Sequence, residues 1–195
     1  MQSVKVSVVP VGKLDAAELA HAAARAAKIL HGAVDVRRAV AVPRGAEDVA
    51  RGQHRAETLL TLLAPTASAA AVEARVVPEG DPPPGPWIPA PGVPVVFVTD
   101  VDLFTRDREG VLAHAEPSRH VAVVSVRRLR EAFWRRKADP GKQRARLVKE
   151  LVHAAGTLRG LRDCPDPGCA MSPELGLQDV DRKGERLCGP CAKRI

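Results

Sequence analysis

The chain has 195 residues, 30 basic side chains against 23 acidic ones, and a formal charge of +7. That length suits one compact domain with a small appendage, and 45% hydrophobic with 27% charged residues excludes wholesale disorder. Three Phe, two Trp and no Tyr leave few of the stacking platforms that single-strand RNA or DNA binders use, so the +7 alone is a poor case for nucleic acid. No apolar run approaches 18 residues, and residues 1–10 lack the basic start and cleavage site of a secretory leader. A soluble, cytoplasmic protein with no membrane partner is the expectation.

In chain order, residues 4–9 (VKVSVV) read as a short strand and residues 10–13 as a turn. Asp15 is placed to cap an Ala-rich helix over Ala16–Leu30, which Gly32 ends. Val34–Val42 is rich in β-branched residues and reads as a second strand. Arg51–Leu63 reads as a helix with Ala56, Leu59, Leu60 and Leu63 on one face. Residues 78–94 hold eight prolines, which excludes helix and central strand and predicts a stiff, extended loop. That loop is either a spacer or a lid or docking segment, tethered through Trp87 and Ile88.

Val95–Thr99 reads as a buried strand, Asp100–Phe104 as strand end or loop, Gly110–Ala115 as an edge strand and His120–Val126 as another strand. Arg127–Phe133 opens a helical stretch. Asp139 and Pro140 then suit the N-cap and first position of a helix running to about Gly160. Its stripe of Leu147, Val148, Leu151, Val152, Ala155 and Leu158 faces a core. This order predicts an α/β (α+β) fold, a mixed sheet covered by helices over residues 1–163, followed by a cysteine-rich element over 164–195.

All four cysteines lie in that last element, as Cys164-x4-Cys169 and Cys188-x2-Cys191 with 18 residues between the pairs. Two knuckles of paired thiolates close a tetrahedral Zn²⁺ site, and Gly168 and Gly189-Pro190 allow the turns that aim sulfur inward. Two disulfides or four unrelated thiols are the competing readings. A four-thiolate zinc has no open coordination position, so it holds structure and does no chemistry.

The helix leading into Cys164 reads His153-Ala-Ala-Gly156-Thr157-Leu-Arg-Gly160-Leu-Arg-Asp163-Cys164. This stretch resembles the archaemetzincin family of metzincin-type zinc metallopeptidases, whose pattern is H-E-x-x-H-x-x-G-x-x-H-C-x4-C-x-M followed by C-x-x-C. His153, Gly156, Gly160, Cys164, Cys169, Met171, Cys188 and Cys191 keep the frame. Upstream, Thr99-Asp-Val-Asp102-Leu-Phe, the run Val121–Leu129 and Arg51-Gly-Gln53-His-Arg-Ala56 resemble further family segments. The resemblance implies a twisted, metzincin-like mixed sheet with an active-site-type helix.

The departures fall on the reactive side chains. Ala154 stands at the general-base Glu, Thr157 at the second His ligand and Asp163 at the third. A catalytic zinc needs three protein ligands and an open position, and Ala154 has no group to take a proton from bound water. The expectation is therefore a non-hydrolytic pseudo-peptidase with no catalytic residue, no catalytic zinc and one structural zinc. A rewired zinc peptidase using His153, Asp163 and a histidine such as His114 or His120 is the second reading. Met171 resembles the Met-turn, the apolar floor under a metzincin metal, and otherwise serves as core packing. In metzincins the edge strand before the helix pairs with bound peptide. Val111, Leu112, Ala113 and His114 occupy that position by resemblance, so a peptide or protein partner would add a strand there. The competing reading is an edge blunted by charged neighbours.

The charge is local. Residues 127–146 hold nine basic and two acidic side chains, a surplus equal to that of the whole chain. Such a run is a solvated face or a docking site for a phosphate backbone or an acidic partner, with Arg135 and Arg136 central and Phe133 or Trp134 free to stack. Nothing in the sequence indicates the oligomeric state.

Overall fold

The computed structural model of the protein describes residues 4–69 and 93–195, so all but the last two residues of the proline-rich run lie outside the described residues. The elements run β1 (Val4–Val11), α1 (Ala16–Ile29), β2 (Gly32–Val36), β3 (Glu47–Asp48), β4 (Gln53–Arg55), α2 (Ala56–Ala69), β5 (Val95–Thr99) and β6 (Leu103–Phe104). They continue with β7 (Ala113–Glu116), β8 (Val121–Ser125), α3 (Pro140–Leu158), α4 (Leu177–Arg182) and α5 (Gly189–Ala192). No helix among the described residues is long and apolar enough to cross a membrane.

Five strands form one sheet in the order β2-β1-β5-β8-β7. The first four are parallel and β7 closes one edge antiparallel to β8. The inner strands are apolar on both sides because both faces are covered. Val6, Val8, Val96, Val98, Ala122 and Val124 meet α1 and α3 on one face. Val9, Val11, Val95, Phe97, Val121 and Val123 meet α2 on the other. The short strands β3, β4 and β6 make a second small sheet.

Helix α3 forms as its sequence predicts. Asp139 Oδ1 accepts the Lys142 amide at 2.9 Å, and the whole predicted stripe is buried. Two charged residues, Arg146 and Glu150, are buried with it, at 1% and 0% exposure.

Four boundaries differ from the sequence reading. The second strand stops at Val36; beyond it the chain stays beside β1 through the Arg37 amide on the Val8 carbonyl at 2.8 Å and a single bridge from Val40 to Val11. The segment read as a helix from Arg51 begins as β4. Gln53 Nε2 donates to Asp102 at 2.8 Å and the His54 amide to the Asp102 carbonyl, and this pairing outweighs helical preference until Ala56. The stretch from Arg127 makes only one 3₁₀ turn, Glu131–Trp134, ended by Arg135 in the left-handed region at φ 57°. Its side chains are pulled two ways, Arg130 to Asp100 and Glu131 to Arg146. The edge strand is Ala113–Glu116, since Val111 bridges to Leu103 in the small sheet instead.

Candidate functional site

Cys164 lies just beyond α3, its amide donating to the Met171 carbonyl at 2.8 Å. Cys169 follows a tight turn closed on Asp166, and its sulfur accepts the amides of Met171 and Cys188. Cys188 precedes α5 and Cys191 lies within it. All four Sγ atoms fall within 4.8 Å of one another, with Cys164 and Cys188 at 3.6 Å, and none is in a disulfide. The edge of a tetrahedron with Zn–S bonds of about 2.3 Å is roughly 3.8 Å, so the spacing fits a metal ion.

The backbone is shaped for this closeness: a Cβ on Gly184 would stand 2.3 Å from the Gly168 carbonyl oxygen. Cys164, Cys169 and Cys191 share a small core with Leu161 and Met171. The Cys191 backbone amide pulls the Cys188 thiol down, while burial and the neighbouring sulfurs push Cys191 up. Four thiolates this close repel one another, and a divalent cation relieves that repulsion.

One helical turn into α3 from this cluster stands His153, half-buried. Its Nδ1 is 3.2 Å from Glu174 Oε2, and its Nε2 is 3.7 Å from Oδ1 of Asp163. Asp163 is 70% exposed on its side chain and Thr157 is half-buried, while Ala154 is buried. The structure thus brings His153 and Asp163 together. Among the described residues the four cysteines are the one set of three or more His, Cys, Asp or Glu whose ligand atoms converge, so His153 and Asp163 lack a third such donor. Two donors without a third do not fit a tightly held zinc.

His114 cannot supply that donor. It is paired with Val123, whose side chain belongs to the α2 face, whereas α3 covers the opposite face. His120 sits in the left-handed region at the far end of the β7–β8 hairpin, before β8 begins. Met171 is beneath the helix: a Cβ on Gly156 would come within 2.6 Å of its sulfur.

The sequence reading missed the residues that hold His153. Lys183 Nζ lies 2.6 Å from Glu174, 3.2 Å from His153 Nδ1 and 3.0 Å from Glu150 Oε1. The last contact is an ion pair without hydrogen-bond alignment, which leaves both Glu150 oxygens short of an aligned donor. Burial pushes the Glu150 carboxyl up, and burial alone would lower Lys183, but the two carboxylates raise it. Glu150 was the findable member, because it lies three residues before His153 on the same helix face. Glu174 and Lys183 gave no signal, being single charges inside the 18-residue gap between cysteine pairs.

Burial alone would raise the Glu174 carboxyl, yet His153 and Lys183 bring it down to about 2. Burial pulls His153 down, and Glu174 more than offsets this, so the imidazole is held above its usual 6.5. A raised folded-state value means that the protonated imidazole adds stability fully present below pH 6.5 and lost as pH rises from there through the higher folded-state value. An NMR titration of the His153 ring should therefore give a midpoint above 6.5. In Glu174→Gln it should fall, because burial and the Lys183 ammonium then face only the Glu150 carboxylate; a midpoint that stays high would contradict the assignment of Glu174 as the cause.

At the edge strand, the Ser125 amide donates to the Leu112 carbonyl at 2.8 Å, which sets the ladder phase. The backbone groups of Ala113 and Ala115 consequently point away from the sheet. The side chains of Val111 and Leu112 are buried, and those of Ala113 and His114 half-buried, so the strand would meet a partner chiefly through its backbone. Beside it, Val111, Leu112, Ala113, Glu174 and Leu175 line a crevice of about 20 Å³, room for about one water. Arg108 Nη2 donates across it to the Leu175 carbonyl at 2.9 Å.

The basic segment is sorted by the fold. Arg128 pairs with Asp102, Arg130 with Asp100, and Arg146 with Glu131 and Asp181. Arg135 and Arg136 remain exposed.

A mostly parallel sheet with an antiparallel edge strand, a long helix carrying His153, a methionine under that helix and a four-cysteine knuckle after it define a zinc-peptidase fold of the metzincin type. A zinc-dependent peptidase from Methanocorpusculum labreanum superposes with a TM-score of 0.77 over 97% of this chain and 98% of that one, at 22% identity, a likeness of fold. An archaemetzincin from Archaeoglobus fulgidus, complexed with malonate, superposes at 0.71 with 27% identity over 98% and 99% of the two chains. The archaemetzincin of Halobacterium salinarum is 31% identical over 98% of this chain and 99% of its own length, and that of Natronomonas pharaonis 28% over 97% and 98%. The sequence profile of Peptidase family M54 matches residues 89–195. The chain belongs to peptidase family M54, the archaemetzincins.

Proposed function

We propose that this chain is a non-hydrolytic archaemetzincin that holds one structural zinc at Cys164, Cys169, Cys188 and Cys191 and binds a peptide or protein partner without cleaving it. One observation carries the reading: the helix that resembles the family's zinc-ligating one presents a single histidine. Ala154 and Thr157 stand at the base and second-ligand positions, and His153 Nδ1 is engaged by Glu174 and Lys183. The zinc of an M54 peptidase supplies Lewis-acid activation of water when bound. In this chain His153 and Asp163 are the residues near enough to hold it, and no carboxylate follows His153 to take the proton. The outward backbone of Ala113 and Ala115 supports strand addition by an extended peptide.

A second reading rests on the 3.7 Å approach of His153 Nε2 to Asp163 Oδ1, the start of a rewired site. Metal content separates the two. Purified protein is expected to hold one zinc per chain and to leave a peptide library uncut. Two tightly held zincs, or chelator-sensitive cleavage, would establish the rewired enzyme instead. Combining Ala154→Glu, Thr157→His and Asp163→His is expected to raise the content to two zincs, because it rebuilds three ligands and a base on the same helix frame.

A further inference from the structure

Of the nine cations between residues 127 and 146, Arg128, Arg130 and Arg146 are drawn into internal ion pairs, and Arg135, Arg136 and Lys137 lie together in the turn that precedes α3. Glu131, 5% exposed, clamps that turn to the helix. Arg136 from the turn and Lys142 from the first turn of α3 both stand 3.6 Å from its carboxylate, which sets the 131–137 turn beside the helix start. Arg135 and Lys137 are exposed in the same stretch, whereas Arg144 lies on the other side of α3, beside Asp15 and Glu18. The one further acid of the stretch, Asp139, is committed to capping α3.

Among these cations stands Trp134, 39% exposed. Its indole N–H donates to the Arg128 carbonyl at 2.9 Å, and Phe133 packs edge-on at 5.0 Å between centroids. The ring is therefore fixed, its polar atom is satisfied inside, and what it offers outward is apolar ring surface.

We infer that the 131–137 turn and the first turn of α3 form a binding surface for single-stranded nucleic acid. Phosphates lie along Arg135, Arg136, Lys137 and Lys142, and one base stacks on Trp134. An acidic protein segment would satisfy the cations but has no use for a rigid ring whose hydrogen-bond donor is already taken. An unstacked base beside a phosphate matches both features. A duplex keeps its bases in the stack and out of the ring's reach. The low aromatic content excludes a broad stacking sheet, whereas a one-base platform needs one ring.

The test uses the full, zinc-loaded chain in a Trp87→Phe background, so that Trp134 is the sole tryptophan fluorophore. A labelled 15-nucleotide oligo(dT) is titrated by anisotropy, with Trp134 emission followed in parallel. Binding should quench the emission. It should weaken about 50-fold between 50 and 200 mM NaCl if four cations engage, by counterion release. R135E/K137E should lose at least about tenfold at 50 mM and flatten the salt slope. Trp134→Ala should lose about tenfold, and Trp134→Phe, which keeps a ring, should retain most of the affinity and guards against a folding defect. Absence of binding at 50 mM salt, binding indifferent to R135E/K137E, or binding without quenching would overturn the inference. So would polyglutamate that binds as tightly as the oligonucleotide and independently of Trp134, since the surface would then be one for acidic protein.

Discussion

Lys183→Met is expected to lower the stability of the folded chain by about 3–5 kcal/mol, the cost of breaking a buried ion pair from one side. Lys183 is 2% exposed and Glu150 fully buried, so no water replaces the ammonium when it is lost. Glu150 would then keep a charge with no partner or take up a proton against neutral pH. Glu174 would retain His153, which limits the damage on that side. The double variant Glu150→Gln/Lys183→Met removes both charges, and it should recover a large share of the loss. Denaturant unfolding of both variants at fixed zinc concentration measures the difference. A double variant no more stable than the single one would show that the site depends on the shape of these side chains and not on their charge.

Stripping the metal should have a larger effect still. A chelator, or Cys169→Ser, is expected to cost more than about 4–5 kcal/mol, the range reached when a structural metal is lost. Cys169 is the most consequential of the four, being fully buried and accepting two backbone amides at its sulfur. The small core around it has Leu161 and Met171 as its buried apolar side chains besides the cysteines, with Leu187 and Ile195 packed on it half-buried, too little apolar surface to hold the knuckle closed without an ion. A thermal melt with chelator and with zinc restored gives the comparison. An unchanged melting temperature after verified zinc loss would rule out a structural role for the ion.

How much was legible in the sequence depended on whether local pattern or distant pairing fixed each part. The core-facing stripe of α3, its Asp139 cap and the strands β5 and β8 could be read because period, capping chemistry and β-branched runs are properties of short segments. The four-cysteine cluster was equally plain, since four thiols in two close pairs state their own geometry. Residues 51–55 misled because their extended form is imposed by Asp102, almost 50 residues away. The turn at 127–135 misled for the same reason, its arginines and Glu131 being held by Asp100 and Arg146 from other elements. In the candidate site, His153 was visible through its frame. Glu174 and Lys183 were not, because a single charge carries no spacing that marks it for burial.

The ion pairs that join α3 to the segment between the cysteines have a consequence for the order in which the fold is completed. Arg146 and Glu150 are synthesised some thirty residues before Asp181 and Lys183, their partners. In the interval the helix exposes two charges on the face it must bury, and nothing made earlier neutralises Glu150. Both charges on this flank of α3 reach their full set of partners only with the segment that carries Asp181 and Lys183. The flank of α3 is thus finished by residues at the other end of the chain, and a chain that stopped short of them would leave Glu150 without its cation.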